Sequence, residues 1–468
     1  MNADTLARLK NAVGPKGYSE DPNVIAPHLE EWRSKYRGKS SLLLIPATTS
    51  EVSAVLKICD ETATPIVPQG GNTGLVGGQI AFNGEIVLSL ARMNRIRALD
   101  AAAQTITVEA GAILAQIQRA ADETNLLFPL SLAAEGSATI GGNLSTNAGG
   151  VNVLRYGMAR DLVLGLEVVL ADGRVLDLLR TLRKDNTGYD LKQIFIGSEG
   201  TLGIITAASL KLFPKPGERV CSLVAVPSPA AAVQLLSEFQ AKTGGQISAF
   251  ELMPRIGLEL VAAHIPGARN PFTTESPWYV LAEAAGAAQF ELAGIIESTL
   301  AAATKEGIVT NAVIAASEAQ RSALWALREN MSEAQKREGA SIKHDVSVPV
   351  SKIPQFLEEA TAAVLRTVPG ARPVSFGHIG DGNIHFNFSA PKGGDESAFL
   401  ARWDDVQRIV HDIVHRFGGS ISAEHGIGVQ KREQLALYKS PVEMELMRTL
   451  KRTFDPKNIL NPGKVVAV

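Results

Sequence analysis

The sequence predicts an α+β protein: two domains of mixed helix and strand, closed by a short helical segment. Apolar strand-like runs alternate with amphipathic helices, which is the pattern of packed helix and sheet layers. Three clusters dense in glycine and small residues lie in the first half, and a proline–glycine break at 214–217 separates that half from a differently patterned second one. The length of 468 residues suits two or three domains. A net charge of −2 gives no general attraction to nucleic acid or to an anionic membrane. Cys59 and Cys221 lie far apart, show no metal-binding spacing and suit a reducing compartment. No apolar stretch reaches the length of a membrane span, and the first residues hold no signal-peptide core. A cytoplasmic enzyme is the expectation.

The first domain is placed at 1–216, with its core from about 38. A buried strand at 41–45 precedes a helix capped at 49–51 and running to about 62, with Val52, Val55, Leu56 and Cys59 on one face. Cys59 therefore reads as packing. A strand at 65–67 leads into PQGGNTGLVGG at 68–78, and further strands are expected at 86–90, 105–109 and 163–170. Glycine at this density lets the backbone adopt positive φ and turn its N–H groups into an anion-binding nest, a natural seat for a diphosphate. The loop has neither a P-loop ending nor the G-x-G-x-x-G spacing, and a flexible surface turn stays as its plain alternative. Similar clusters follow at 135–150 and 197–205. Three such segments separated by strands suit one long, thin ligand such as FAD better than a compact nucleotide.

The second domain is placed at 217–420, with strands at 220–226 and 278–283. Helices are expected at 229–242, 287–305, 317–339, 351–367 and about 397–417. A helical segment at 421–468 is expected to return to the first domain. Within the second domain, SFGHIGDGNIHFNF at 375–388 reads as a hairpin whose turn is 380–383. That register puts Ile379 against Ile384 and His378 opposite His385, with opposed Cβ atoms about 4.5–5.5 Å apart. Two imidazoles at that separation reach one metal ion, and Glu424 in SAEHGIG at 422–428 offers an oxygen as third ligand. Alternation places Asn387 on the face of His385 and turns Ile384, Phe386 and Phe388 to the core. A merely hydrogen-bonded histidine pair is the plain alternative. A rival pair, His411 and His415, recurs at helical spacing as in zinc hydrolases, but on the border of an ordinary amphipathic helix. Those two, with His28, His264 and His344, read as surface or packing residues.

The segments at 68–78, 135–157, 184–205, 378–387 and 422–428 together resemble the vanillyl-alcohol-oxidase superfamily. Within it, RKDNTGYDLK at 183–192 and SAEHG at 422–426 make the chain similar to the branch of D-2-hydroxyglutarate and FAD-linked D-lactate dehydrogenases. The resemblance implies a PCMH-type FAD-binding domain of two α/β subdomains and an α+β substrate domain with an antiparallel sheet. Pro68, Gly70, Gly71, Asn72, Thr73 and Gly74, with Gly77 and Gly78, would hold the pyrophosphate. Ser137, Gly141, Gly142, Asn143, Thr146, Asn147 and Gly150 would line the flavin, and Glu199, Gly200 and Ile204 would complete the pocket. Asn72 stands where some flavin-tethering relatives carry His, so FAD is expected without a covalent bond. The resemblance names His378, His385 and Glu424 as ligands of a divalent metal, zinc first. It gives Arg328, Lys343 and Asn387 to the substrate carboxylates, with Ser332 one helical turn from Arg328 where Thr is expected. A solvated surface charge is the plain alternative for Arg328.

The implied activity is FAD-dependent oxidation of a D-2-hydroxy acid to the 2-oxo acid, with His425 as base and in contact with substrate. D-2-hydroxyglutarate is the first substrate and D-lactate the second. An electron-transfer flavoprotein or the quinone pool is implied as electron acceptor, and a homodimer stays open. A zinc hydrolase and a non-catalytic flavin-binding protein stand as alternatives from other classes.

Overall fold

The computed structural model describes residues 2–468. The chain divides into two compact units. One comprises the residues up to Gly150, Gly157–Lys215 and Glu424–Val468; the other comprises Val151–Tyr156 and Pro216–Ala423.

The first unit contains two principal sheets. In the smaller, Leu43–Leu44 and Ile66–Gln69 flank Ile86–Ser89, all parallel, and Tyr18–Ser19 pairs antiparallel at the edge. Its two central strands, Leu43–Leu44 and Ile86–Ser89, are buried throughout, as parallel strands covered on both faces must be. The helix Thr49–Thr62 makes the crossover; the Thr48 side chain caps it, and Ala63 ends it in the left-handed region. The larger sheet is antiparallel, in the order 96–100, 105–109, 204–211, 163–169, 175–178. The Asp172–Gly173 turn joins its last two strands, with Gly173 at φ +84.

The C-terminal segment belongs to this unit. Ile66 bridges to Leu460, and the Asn461 side chain donates to the carbonyls of Gly78 and Glu199 at 2.9 and 2.8 Å. Lys451, 2% exposed, donates to Asp455, Thr201 O and Leu460 O. Burial lowers its pKa, and the adjacent Asp455 carboxylate opposes that shift.

The second unit is built on an antiparallel sheet in the order 247–254, 278–286, 218–226, 311–314. Leu223, Met253, Tyr279, Trp325 and Phe376 meet in its core. A smaller sheet has Asn383–Ser389 at its centre, pairing with Arg372–Phe376, Ser341–Ile342 and Asp345–Ser347. Cys59 and Cys221 are both buried free thiols, and burial pushes each up to about 12. They pack rather than react.

Two elements differ from expectation. The helix foreseen at 317–339 is two helices, Glu318–Glu329 and Met331–Glu338. Asn330 divides them at ψ −1, its side chain donating back to Ala326 O at 2.8 Å. Arg328 and Ser332 therefore do not share one helical face: Arg328 is buried and Ser332 exposed. The helix foreseen at 397–417 likewise breaks into Glu396–Leu400 and Trp403–Arg416.

Candidate active site

The histidine hairpin forms with a register other than the expected one. Phe376, not His378, lies opposite His385, and the connection runs over 377–382 rather than 380–383. Gly377 explains the change. It bonds in both directions to Leu252 of the neighbouring strand, at 2.8 and 3.0 Å, and so leaves the ladder with 383–389. A Cβ there would lie 2.6 Å from Asn383 O. The longer loop still brings the imidazoles together: the rings of His378 and His385 are 5.7 Å apart and inclined at 72°. Ile384, Phe386 and Phe388 are fully buried, as alternation requires.

Glu251, on the strand Ile247–Pro254, links this loop to the helix Glu318–Glu329. One carboxylate oxygen is 2.6 Å from His378 Nδ1, and the other accepts Arg328 Nε at 2.7 Å. Burial raises the Glu251 pKa, but His378 and Arg328 outweigh it and bring the group down to about 2. Arg328 also lies over the Phe376 ring at 4.8 Å. Burial and the Glu251 charge push Asp381 up to about 6, against the opposing effect of His378. Neither acid was singled out in the sequence. A glutamate amid the apolar FELM of a strand was the available signal, because a buried charge needs a partner.

Two of the other expected substrate residues, Lys343 and Asn387, belong to the segments that build the smaller sheet. Lys343 lies between Ser341–Ile342 and Asp345–Ser347. Asn387 accepts the N–H of His344 at 3.2 Å and donates to Gln335 at 3.1 Å. Asp345 lies opposite His385 and accepts from the Asn383 side chain at 3.0 Å. His411 is buried against His344, their rings 5.9 Å apart, whereas His415 is exposed. Among the described residues, no three-residue group suited to a metal includes either His411 or His415.

In the first unit two of the glycine clusters face one another. A Cβ at Gly71 would lie 2.0 Å from Ser137 O, and one at Gly70 would lie 2.4 Å from Thr139 Oγ1. Asn72 takes φ +55 and donates to the carbonyls of Pro27 and Glu30. Thr139 Oγ1 and Asn143 Nδ2 are buried and find no protein partner, so the cradle presents polar atoms suited to a phosphate-bearing ligand. That fits FAD. Thr146 bonds back to Gly142 O, the Asn147 side chain accepts the Arg160 N–H, and Ile204 begins the strand Ile204–Lys211. Pro68 contacts Gly200, where an added Cβ would lie 2.4 Å from the ring.

Glu199, expected in the flavin pocket, also shapes a turn of the C-terminal segment. It takes φ +50, and its carboxylate accepts the N–H groups of Ile427 and Gly428 at 2.7 and 2.9 Å. Burial raises its pKa, opposed by those two N–H groups and by Lys431 and Lys464. It thereby holds the turn that follows Glu424 and His425. Gly426, at φ +79, supplies a sharp bend directly after His425. An added Cβ at Gly149 would meet Glu424 Oε1 at 2.9 Å, so this acid packs against the second glycine cluster.

Comparison with known proteins accords with these features. An FAD binding domain model matches residues 40–179, and the model for FAD linked oxidases, C-terminal domain, matches 215–465. "D-2-hydroxyglutarate dehydrogenase, mitochondrial" of Arabidopsis thaliana is 39% identical over 466 residues, covering 100% of this chain and 82% of the relative. The chain belongs to this family of FAD-linked oxidases. "D-2-hydroxyglutarate dehydrogenase" of Xanthomonas citri pv. viticola is also 39% identical, over 465 residues, covering 99% of this chain and 97% of the relative. The p-cresol methylhydroxylase structure shares the fold, with a TM-score of 0.76 at 19% identity, over 99% of this chain and 96% of that one. The expected α+β fold with a PCMH-type flavin domain is thus borne out, and the family is one of FAD-dependent oxidoreductases.

Proposed function

We propose that this protein oxidises D-2-hydroxyglutarate to 2-oxoglutarate, with His378, His385 and Glu424 holding a divalent ion, zinc first. The observation that carries this reading is the pairing of two imidazoles in the same unit as a buried arginine. Two nitrogen donors and one carboxylate suit zinc and leave a coordination position open. Glu424 follows directly on Ala423, whose N–H bonds Asp345 O at 3.4 Å beside the His385 strand. FAD supplies the hydride acceptor, and the ion supplies the Lewis acidity that makes a hydroxyl easier to deprotonate.

The chain's own residues do the rest. His425, on the turn held by Glu199, takes the hydroxyl proton, since an imidazole near neutral pKa suits a base at physiological pH. Arg328 offers a planar fork and Lys343 a point charge to the two carboxylates, with Asn387 as a hydrogen-bonding neighbour. Two cations exceed what a monocarboxylate needs, which places D-lactate second. FAD is held without a covalent bond: Asn72 stands at the tethering position, and both thiols are packed in cores. An electron-transfer flavoprotein or the quinone pool would serve as the electron acceptor. The reducing compartment suited to two buried thiols is the cytoplasm.

The test is anaerobic flavin reduction with a panel of D-2-hydroxy acids. D-2-Hydroxyglutarate is expected to bleach the flavin fastest. A higher kcat/KM with D-lactate reverses the order of substrates, and no bleaching by any member overturns the proposal.

A further inference from the structure

Glu251 lies mid-strand between Phe250 and Leu252, with a fully buried side chain. Its two oxygens serve partners on different elements, His378 on the histidine loop and Arg328 in the last turn of the helix Glu318–Glu329. That helix has a separate anchor. Glu283, on the adjacent strand, accepts from Arg321 Nε at 2.6 Å, Arg321 Nη2 at 3.1 Å and Trp325 Nε1 at 2.8 Å. The histidine loop is likewise held by backbone, through the paired bonds of Leu252 and Gly377. Neither element depends on the Glu251 side chain for its place, yet one buried carboxylate reaches both functional side chains.

We propose that Glu251 is a positioning residue that fixes the ring tautomer of His378 and the aim of Arg328 together, and so sets the length of substrate the site accepts. This rests on reading His378 as a metal ligand and Arg328 as a carboxylate contact. A carboxylate bonded to Nδ1 keeps the proton on that nitrogen, so ligation falls to Nε2 with raised basicity. The bond from Arg328 uses Nε, so the Nη pair of the guanidinium is not spent on Glu251. Because both bonds end on one rigid side chain, the separation of the metal position and the guanidinium is fixed within this unit. A diacid held at both ends samples that separation; a monoacid does not.

The test uses the FAD-loaded enzyme with Glu251→Gln. Glutamine keeps the shape but replaces one acceptor oxygen by a donor, so it can bond both Arg328 and His378 only with the imidazole in the opposite tautomer, its proton on Nε2. Zn²⁺ affinity is measured by competition with a chromophoric chelator, and kcat and KM are measured with D-2-hydroxyglutarate and D-lactate. Flavin content and circular dichroism are expected to match wild type. Zn²⁺ affinity is expected to fall ~10–100-fold, and KM to rise more for D-2-hydroxyglutarate than for D-lactate. Unchanged Zn²⁺ affinity, or an unchanged ratio of the two KM values, overturns the shared role. If wild type itself binds no Zn²⁺, the metal reading fails, and the KM ratio alone judges the Arg328 half. Should the glutamine variant not fold, Glu251→Asp keeps the charge but shortens the reach, and the same two readouts apply.

Discussion

Glu199 accepts the N–H of Gly428 at 2.9 Å across 229 residues of chain. The other carboxylate oxygen takes the N–H of Ile427 at 2.7 Å, so one buried acid shapes the turn directly after Glu424 and His425. Glu199→Ala leaves two backbone donors without their acceptor, at about 1–3 kcal/mol each. Urea unfolding should show a loss of that order, with activity falling further than flavin content. Gly426→Ala should act in the same direction, since its Cβ would come within 2.7 Å of Glu199 Oε1 at a positive φ. Wild-type stability in both variants would remove this role from Glu199.

Glu251 joins the Arg328 guanidinium to His378 of the histidine loop. Arg328→Ala should lower kcat/KM far more for D-2-hydroxyglutarate than for D-lactate, and it also leaves Glu251 short of one partner. Steady-state kinetics on both substrates checks this. Equal losses on the two would mean that Arg328 does not bind the second carboxylate.

His425→Ala should retain flavin and metal but reduce the flavin at least ~100-fold more slowly, the low end for loss of a general base. His385→Ala should stay yellow and lose both metal and activity. Stopped-flow bleaching and elemental analysis separate the two. Full turnover by chelator-treated protein shown to be metal-free would end the metal mechanism.

Acid or heat precipitation should leave the yellow colour in the supernatant, because no thiol or histidine stands at the tethering position. Absorbance at 450 nm of the two fractions decides it, and colour retained in the pellet means a covalent bond.

The helix Pro441–Phe454 opens on a capping box between Ser440 and Glu443. Lys439, then the Ser440 N–H and hydroxyl, bring the Glu443 carboxyl down to about 2 from an ordinary 4.5. A depressed carboxylate stabilises the fold above its unfolded pKa, and that contribution is lost as pH falls from 4.5 toward 2. The protection of the first-turn amides, measured as exchange relative to the unfolded chain at the same pH, should therefore fall over that window. Glu443→Gln should abolish the dependence.

Much of the fold is written in local pattern. The Val52, Val55, Leu56, Cys59 face and the buried alternation of Ile384, Phe386 and Phe388 are exposed by periodicity over a few residues, and the glycine clusters at 68–78 and 135–150 by local composition. The glycine clusters and the histidine hairpin also carry the likeness to FAD-linked oxidases. Tertiary structure decided the remainder. Phe376 lies opposite His385 because Gly377 is captured by Leu252, a residue more than a hundred positions away. The helix at Asn330 breaks where a side chain turns back on its own backbone. Glu251 reaches His378 across 127 residues, and Glu199 reaches Gly428 across 229. A hydrogen bond of that span leaves no periodic trace. Its only mark in the sequence is a charge where an apolar residue would otherwise be buried, and only the folded chain shows which partner offsets the cost of burying it.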